Sequence, residues 1–279
     1  MELQWYPGHM TKALRQIKED IKLIDLVIEL LDARIPEASR NPDISNLAQG
    51  KSRLLVLAKS DLADEAATAA WLSHYREQGL FASALDTRSR AGLSALRSEI
   101  EKASAAKRER DARRGIKNRP VRALVCGIPN SGKSTLINTI SGRKSAKTGN
   151  KPGVTRGKQW IRLSGQLELL DTPGILWPKF EDPEVGVLLA GIGAIKDEIA
   201  GREELAIEFY HRLASLYPGR ISEKYDIGED LSDADVLSEL AMKRSLLASG
   251  GEPDISRAAG LILDDMRGGK LGRITFQRV

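Results

Sequence analysis

The chain contains one cysteine, Cys126, in 279 residues. A single thiol cannot build a disulfide framework within one chain, so the fold must stand on packing alone. A reducing, cytoplasmic setting is expected. No run approaches 18 consecutive apolar residues, so no segment reads as a membrane-spanning helix and no membrane partner is expected. Residues 1–16 have no apolar stretch of the secretory type, which predicts no leader. Strong net charge is missing too: 43 Lys and Arg stand against 38 Asp and Glu, giving +5. With 41% apolar and 29% charged residues, the chain can fill a core, and disorder as its main state is excluded. The length suits one large domain or two smaller ones.

The small positive charge is unevenly spread. Residues 101–122 hold nine basic and three acidic side chains, and residues 143–162 hold seven basic and none acidic. Two basic stretches on an otherwise acidic chain point to a polyanionic partner. Arg267, Lys270, Arg273 and Arg278 form a smaller third cluster.

Short apolar runs at 24–31, 54–58, 121–126 and 167–170, with a weaker one at 81–85, read as buried strands. Helical spacing appears between them. Met10, Ala13, Leu14, Ile17 and Ile21 share one face; residues 65–78 and the segment from Leu93 also read as helices. This alternation predicts an α/β fold with a parallel sheet. After Pro178 the pattern changes to helices at 203–217, 232–249 and 254–267, with a capping box at Ser232 and Asp235 and an N-cap at Asp254. A last strand is expected at 272–276. The expected domains are 1–177 and a small all-helical 178–279.

Gly127-Ile-Pro-Asn-Ser-Gly-Lys-Ser134 fits G-x-x-x-x-G-K-[ST] and lies between a predicted strand and a predicted helix. Such a loop turns backbone N–H groups toward phosphate oxygens, and the helix N-terminus adds positive potential. Lys133 can reach the β- and γ-phosphates, and Ser134 can ligate Mg²⁺. Asp171-Thr-Pro-Gly174 closes another apolar strand. There a carboxylate can hold Mg²⁺ through water, and Gly174 can offer its N–H to a γ-phosphate. Between them, Thr155 can close over Mg²⁺ and the γ-phosphate. Lys59 and Asp61 follow the strand ending at Ala58. An Asp at such an edge accepts from both N1–H and the exocyclic amine of guanine, a donor pair that adenine lacks.

Together these pieces resemble the translation-factor-related GTPases, but the base motif at 58–61 precedes the phosphate loop at 127–134. That order resembles a circularly permuted GTPase. Trp5-Tyr-Pro-Gly-His-Met10, Asp32-Ala-Arg-Ile-Pro-Glu-Ala-Ser-Arg-Asn-Pro42 and Arg267-Gly-Gly-Lys-Leu-Gly-Arg273 narrow the resemblance to the YlqF/RbgA-type ribosome-assembly GTPases, over nearly the whole chain. It implies GTP hydrolysis with slow basal turnover, raised on the large (50S) ribosomal subunit or its precursor. The helical domain is expected to bind RNA or the ribosome. A monomer is expected, with rRNA as the polyanion. Nucleotide contacts are assigned to Asn130, Ser131, Gly132, Lys133, Ser134 and Thr135, and a second base loop to Asp86 and Thr87. Asn130 sits where potassium-stimulated relatives hold K⁺, and His9 is a candidate for positioning water.

Two positions depart from the pattern. Ala58 stands where the family has Asn, and Ile175 follows Gly174 where many GTPases have a water-orienting Gln. These departures keep two alternatives open: a P-loop ATPase or nucleotide kinase, and a nucleotide-gated RNA-binding module with negligible turnover. The switch at 171–175 leads straight into the helical domain, so nucleotide state is expected to reach it through that connection.

Overall fold

The fold is described from a computed structural model covering residues 8–86, 89, 91–142, 159–164 and 166–279, without the side chains of His9, Gln159 and Ser164. Two compact units emerge. One runs through Lys179 and includes Gln277–Val279; the other is Phe180–Phe276.

In the first unit the apolar runs become strands because each is buried on both faces, as parallel strands between helical layers must be. They are β1 (Leu26–Asp32), β2 (Ser52–Ala58), β3 (Phe81–Leu85), β4 (Val121–Gly127), β5 (Gln159–Ser164) and β6 (Leu167–Asp171). Their order is β3-β2-β1-β4-β6-β5, all parallel except β5, which runs antiparallel to β6. The interleaved helices are α1 (Gly8–Asp20), α2 (Pro42–Leu47), α3 (Glu65–Glu77), α4 (Leu93–Arg113) and α5 (Lys133–Ser141). Successive residues of a strand face opposite sides, so β1 feeds two cores. Leu26, Ile28 and Leu30 pack with Leu96 and Ile100 of α4 and Leu136 and Ile137 of α5. Val27 packs with Ala13 and Ile17 of α1, and Leu31 with Trp71 and Tyr75 of α3.

The edge strand β5 departs from the all-parallel expectation. Its sequence, QWIRLS, mixes polar and apolar residues within a basic stretch, as suits an edge. The tail also departs: residues 272–276 form no strand, and the last three residues belong to the sheet unit. Trp71 Nε1 donates to the Gln277 carbonyl at 3.1 Å, and the Ala38 N–H donates to Gln277 Oε1 at 2.9 Å.

The second unit holds α6 (Pro183–Gly191), α7 (Asp197–Ala200), α8 (Arg202–Leu216), α9 (Arg220–Tyr225), α10 (Asp233–Lys243) and α11 (Ile255–Arg267). Phe209, Leu213, Ile262 and Leu263 are buried within it. Asp254 caps α11 as expected, accepting from the Arg257 N–H at 3.0 Å. The capping box is not formed: Ser232 Oγ donates to the Asp235 carboxylate rather than meeting a backbone N–H. The helix expected over 232–249 stops at Lys243, because Ser245 turns left-handed and Leu247 bridges Pro253. Arg267 is spent on structure. It forks onto Asp197 at 2.7 and 3.0 Å and donates to the Ala190 and Gly191 carbonyls that end α6. Lys270 pairs with Asp265 in this unit, and Arg278 pairs with Asp64 in the other, so the third basic cluster is largely engaged in ion pairs.

Candidate nucleotide site

A parallel sheet gathers the C-terminal ends of its strands along one edge, and ligands of open α/β sheets bind there. The candidate residues lie on that edge. Lys59 and Asp61 follow β2, Asp86 follows β3, residues 128–134 follow β4, and Asp171 ends β6 ahead of Gly174. β1 separates β2 from β4, which puts the base motif and the phosphate loop two strand spacings apart, about 10 Å. One nucleotide bridges such a gap. Thr87 and Thr155 lie outside the described residues.

The phosphate loop turns on glycine. Gly127 has φ +145°, and a Cβ there would meet the Leu30 carbonyl oxygen at 2.4 Å. Asn130, at φ 59°, and Gly132 carry the chain into α5. Lys133 lies buried at the start of that helix. Its Nζ donates to the Ile128 and Gly127 carbonyls at 2.7 and 3.1 Å, so the ammonium is held inside the loop's own curve. Ser134 and Thr135 follow in the first turn of α5.

Burial pushes the Lys133 ammonium down to about 8, against the pull of the Asp171 carboxylate. Burial likewise pushes Asp171 up to about 6, with Lys133 opposing. One Asp171 carboxylate oxygen, Oδ1, is buried without a hydrogen-bond partner among the described residues. A buried acceptor left empty costs about 1–3 kcal/mol. An orphaned hard oxygen on the strand edge that also carries the phosphate loop fits a divalent cation and its water.

The loop after β6 lies directly on the phosphate loop. A Cβ at Gly174 would stand 2.7 Å from Pro129 Cα and 2.9 Å from both Pro129 N and Lys133 Nζ. The Ile175 N–H donates to the Gly127 carbonyl at 3.2 Å. Ile175 itself is buried against Ala13 and Ile17 of α1. The residue that cannot orient water is therefore a plug fixing the switch to α1. His9 lies in α1, and its side chain is outside the described residues.

Sequence reasoning found the 32–42 segment but gave it no role. In the fold, the buried Asp32 carboxylate accepts from Arg34 Nε and Nη2 at 2.8 Å each and from Lys59 Nζ at 2.9 Å. The Asn41 side chain caps α2 and donates to the Ile175 carbonyl at 3.4 Å. An acid and a base two residues apart at the end of an apolar strand was the available signal.

The basic run is only partly free for a partner. Lys107 is buried against Asp111, and Arg122 stacks on Trp160, 5.3 Å from the ring centroid, beside Glu168. Arg108, Arg110, Arg114, Lys117 and Arg119 are exposed. The second basic stretch lies mostly outside the described residues. The helical unit, residues 180–276, holds 19 acidic and 11 basic side chains, net −8.

Sheet order and motif placement define a P-loop nucleotide-binding protein whose motifs run in permuted order. The family described as "50S ribosome-binding GTPase" matches residues 122–215, a span that opens on β4 and so leaves the base motif upstream. A curated relative, the ribosome biogenesis GTPase A of Priestia megaterium, is 45% identical over 99% of this chain and 96% of its own. Among solved structures, the GNP-bound YlqF from T. maritima aligns with a TM-score of 0.67 at 28% identity, covering 96% of this chain and 98% of that one. The GDP-bound YlqF structure aligns with a TM-score of 0.66 at 28% identity, covering 95% of this chain and 99% of that one. The chain belongs to the ribosome biogenesis GTPase A family. It binds and hydrolyses GTP, which sets aside the ATPase and the non-hydrolysing alternatives.

Proposed function

We propose that this GTPase acts in the cytoplasm on the maturing large ribosomal subunit, binding it in the GTP state and leaving after hydrolysis. The observation that carries the reading is the close seat of Gly174 on the phosphate loop, 2.7 Å from Pro129 to a notional Cβ. A γ-phosphate arriving at Lys133 must engage that contact, so the third phosphate changes the loop that leads into the helical unit.

In this reading the N–H groups of 130–135 and the Lys133 ammonium hold the phosphates. Ser134 and, through water, the Asp171 carboxylate would hold Mg²⁺, which would neutralise phosphate charge. Thr155 closes over the γ-phosphate, and Gly174 donates its N–H to it. Asp61 reads guanine over the stem of Lys59, with Asp86 and Thr87 forming the second base loop. Water attacks the γ-phosphorus as the bond to the β-phosphate oxygen breaks, leaving GDP and phosphate. Ile175 gives the water no partner, so His9 is the candidate for that position. Asn130 is the residue that would hold K⁺ against the phosphates, placing positive charge where an arginine finger acts in other systems.

The charge distribution supports phosphate contact through the sheet unit. The exposed arginines and lysines of 108–119 contact rRNA phosphates, giving affinity without sequence reading, and the basic composition of 143–158 supports the same partner. The helical unit, at net −8, binds the particle by shape and by protein contacts rather than along the RNA backbone. The protein acts as a monomer.

The test measures GTP turnover alone and with large-subunit particles, in K⁺ and then in Na⁺. Slow basal turnover raised by particles, more strongly in K⁺, is expected. Turnover indifferent to particles removes the ribosomal reading, and equal rates in the two salts remove K⁺ alone.

A further inference from the structure

The base-reading turn must present Asp61 at a fixed height beside the phosphate loop, yet position 58 offers only a methyl group to hold it. Lys59 sits at φ 57°, a left-handed conformation that a side chain with a Cβ adopts only when its surroundings impose it. The Lys59 carbonyl accepts from the Leu62 N–H at 2.9 Å, closing a tight turn around Asp61. β1 and β2 pair in register so that Asp32 lies opposite Ala58. From there its carboxylate reaches Lys59 Nζ at 2.9 Å.

Asp32 is itself fully buried and fully engaged. The Arg34 guanidinium grips it with two bonds of 2.8 Å, and the Arg34 backbone N–H adds one of 3.1 Å. Ser39 Oγ accepts from the Asp32 N–H at 3.0 Å, fixing the strand end. Arg34 is 2% exposed and lies within electrostatic reach of Asp61. Burial alone would drive Asp32 toward its neutral form, but Arg34 and Lys59 outweigh it and hold its carboxyl well below the usual range.

We propose that the buried Asp32–Arg34 pair is the positioning element of the base-reading turn. Asp32 anchors Lys59 in its left-handed conformation, and the Arg34 fork fixes the Asp32 carboxylate where it can do so. Neither residue touches the purine; both act through Lys59 and Asp61. The proposal rests on the reading of Asp61 as the guanine acceptor and adds the residues that fix its selectivity.

The test compares affinity for GDP with affinity for inosine diphosphate, which lacks the exocyclic amine. The ratio reports the base turn; an unstable fold lowers both affinities together and leaves the ratio alone. Two variants are measured, each checked by thermal unfolding: Arg34→Lys, which keeps the charge but loses the fork, and the paired Asp32→Asn/Arg34→Gln, which leaves neither charge buried alone. A fall of about tenfold or more in the GDP preference is expected for the paired variant, the scale of one hydrogen bond to a charged group. A smaller fall is expected for Arg34→Lys. Adding Ala58→Asn should restore part of the preference. An unchanged ratio in folded Arg34→Lys and folded paired variant overturns the proposal, and if the paired variant does not fold, Arg34→Lys alone decides. Asp61→Asn separates the two readings: if it leaves the ratio intact, the base reading itself is wrong, whereas a fall confined to Asp61→Asn rejects only the Asp32–Arg34 pair.

Discussion

Replacing Gly174 with alanine puts a methyl where the phosphate loop already is. Its Cβ would lie 2.7 Å from Pro129 Cα and 2.9 Å from Pro129 N, both backbone atoms, and 2.9 Å from Lys133 Nζ. The lysine can swing away, but the backbone of a loop wound around Gly127 cannot easily retreat. Inserting a methyl against fixed atoms costs about 1–3 kcal/mol. The cheapest relief is for the 172–175 loop to lift, and that loop is where a γ-phosphate is sensed. GDP contacts neither Gly174 nor its N–H, so GDP affinity should stay within about threefold. The preference for a GTP analogue over GDP should fall by about 5- to 150-fold, the same energy expressed as a ratio, and particle-stimulated turnover should fall with it. Fluorescent-nucleotide titration and phosphate release measure the two effects. A Gly174→Ala protein that keeps its GTP-to-GDP preference and its turnover would refute the claim that this close approach is the sensor.

Ala58→Asn should tighten GDP binding by up to about tenfold, the value of one neutral hydrogen bond; no change in a titration would mean that the base turn is already fully held. Arg267→Met removes the Asp197 fork and two carbonyl contacts at the end of α6, and should destabilise the helical unit by about 2–3 kcal/mol in chemical denaturation. Asp32 has its folded pKa depressed, so its stabilisation is present above the ordinary carboxylate pKa of about 3.9 and is lost only as pH falls below it. Unfolding of Asp32→Asn/Arg34→Gln and of the unsubstituted protein should therefore show the same difference at pH 7 and pH 5, and a difference shrinking in acid below pH 4.

Most of the sheet was legible because its strands are continuous apolar runs, a pattern that only doubly covered strands need. β5 was not, because an edge strand tolerates the polar residues mixed into QWIRLS, and its arginine reads with the neighbouring basic stretch. The phosphate loop and Asp171 were legible because their chemistry constrains residue type at fixed spacing. The roles of Asp32, Arg34 and Asn41 were not, since their partners Lys59 and Ile175 are supplied by the sheet and not by the local sequence. Charge counted along the chain does not show engagement: Lys107, Arg267 and Lys270 form ion pairs within the fold, and the acidity of residues 180–276 disappears in a total of +5. The overlong helix at 232–249 shows the same limit: nothing local marks Ser245 as left-handed until Leu247 finds Pro253.

The central claim is that an acid following β2 and a loop following β4 serve one guanine nucleotide. Exchanging Asp61 for asparagine tests it most directly, because an amide donates to the second carbonyl of xanthine where a carboxylate accepts from the amine of guanine. Turnover of the Asp61→Asn protein is measured with GTP and with xanthosine triphosphate. Loss of GTP hydrolysis with a gain on the xanthine nucleotide is the predicted result; unchanged GTP hydrolysis with no gain on xanthosine triphosphate would contradict it.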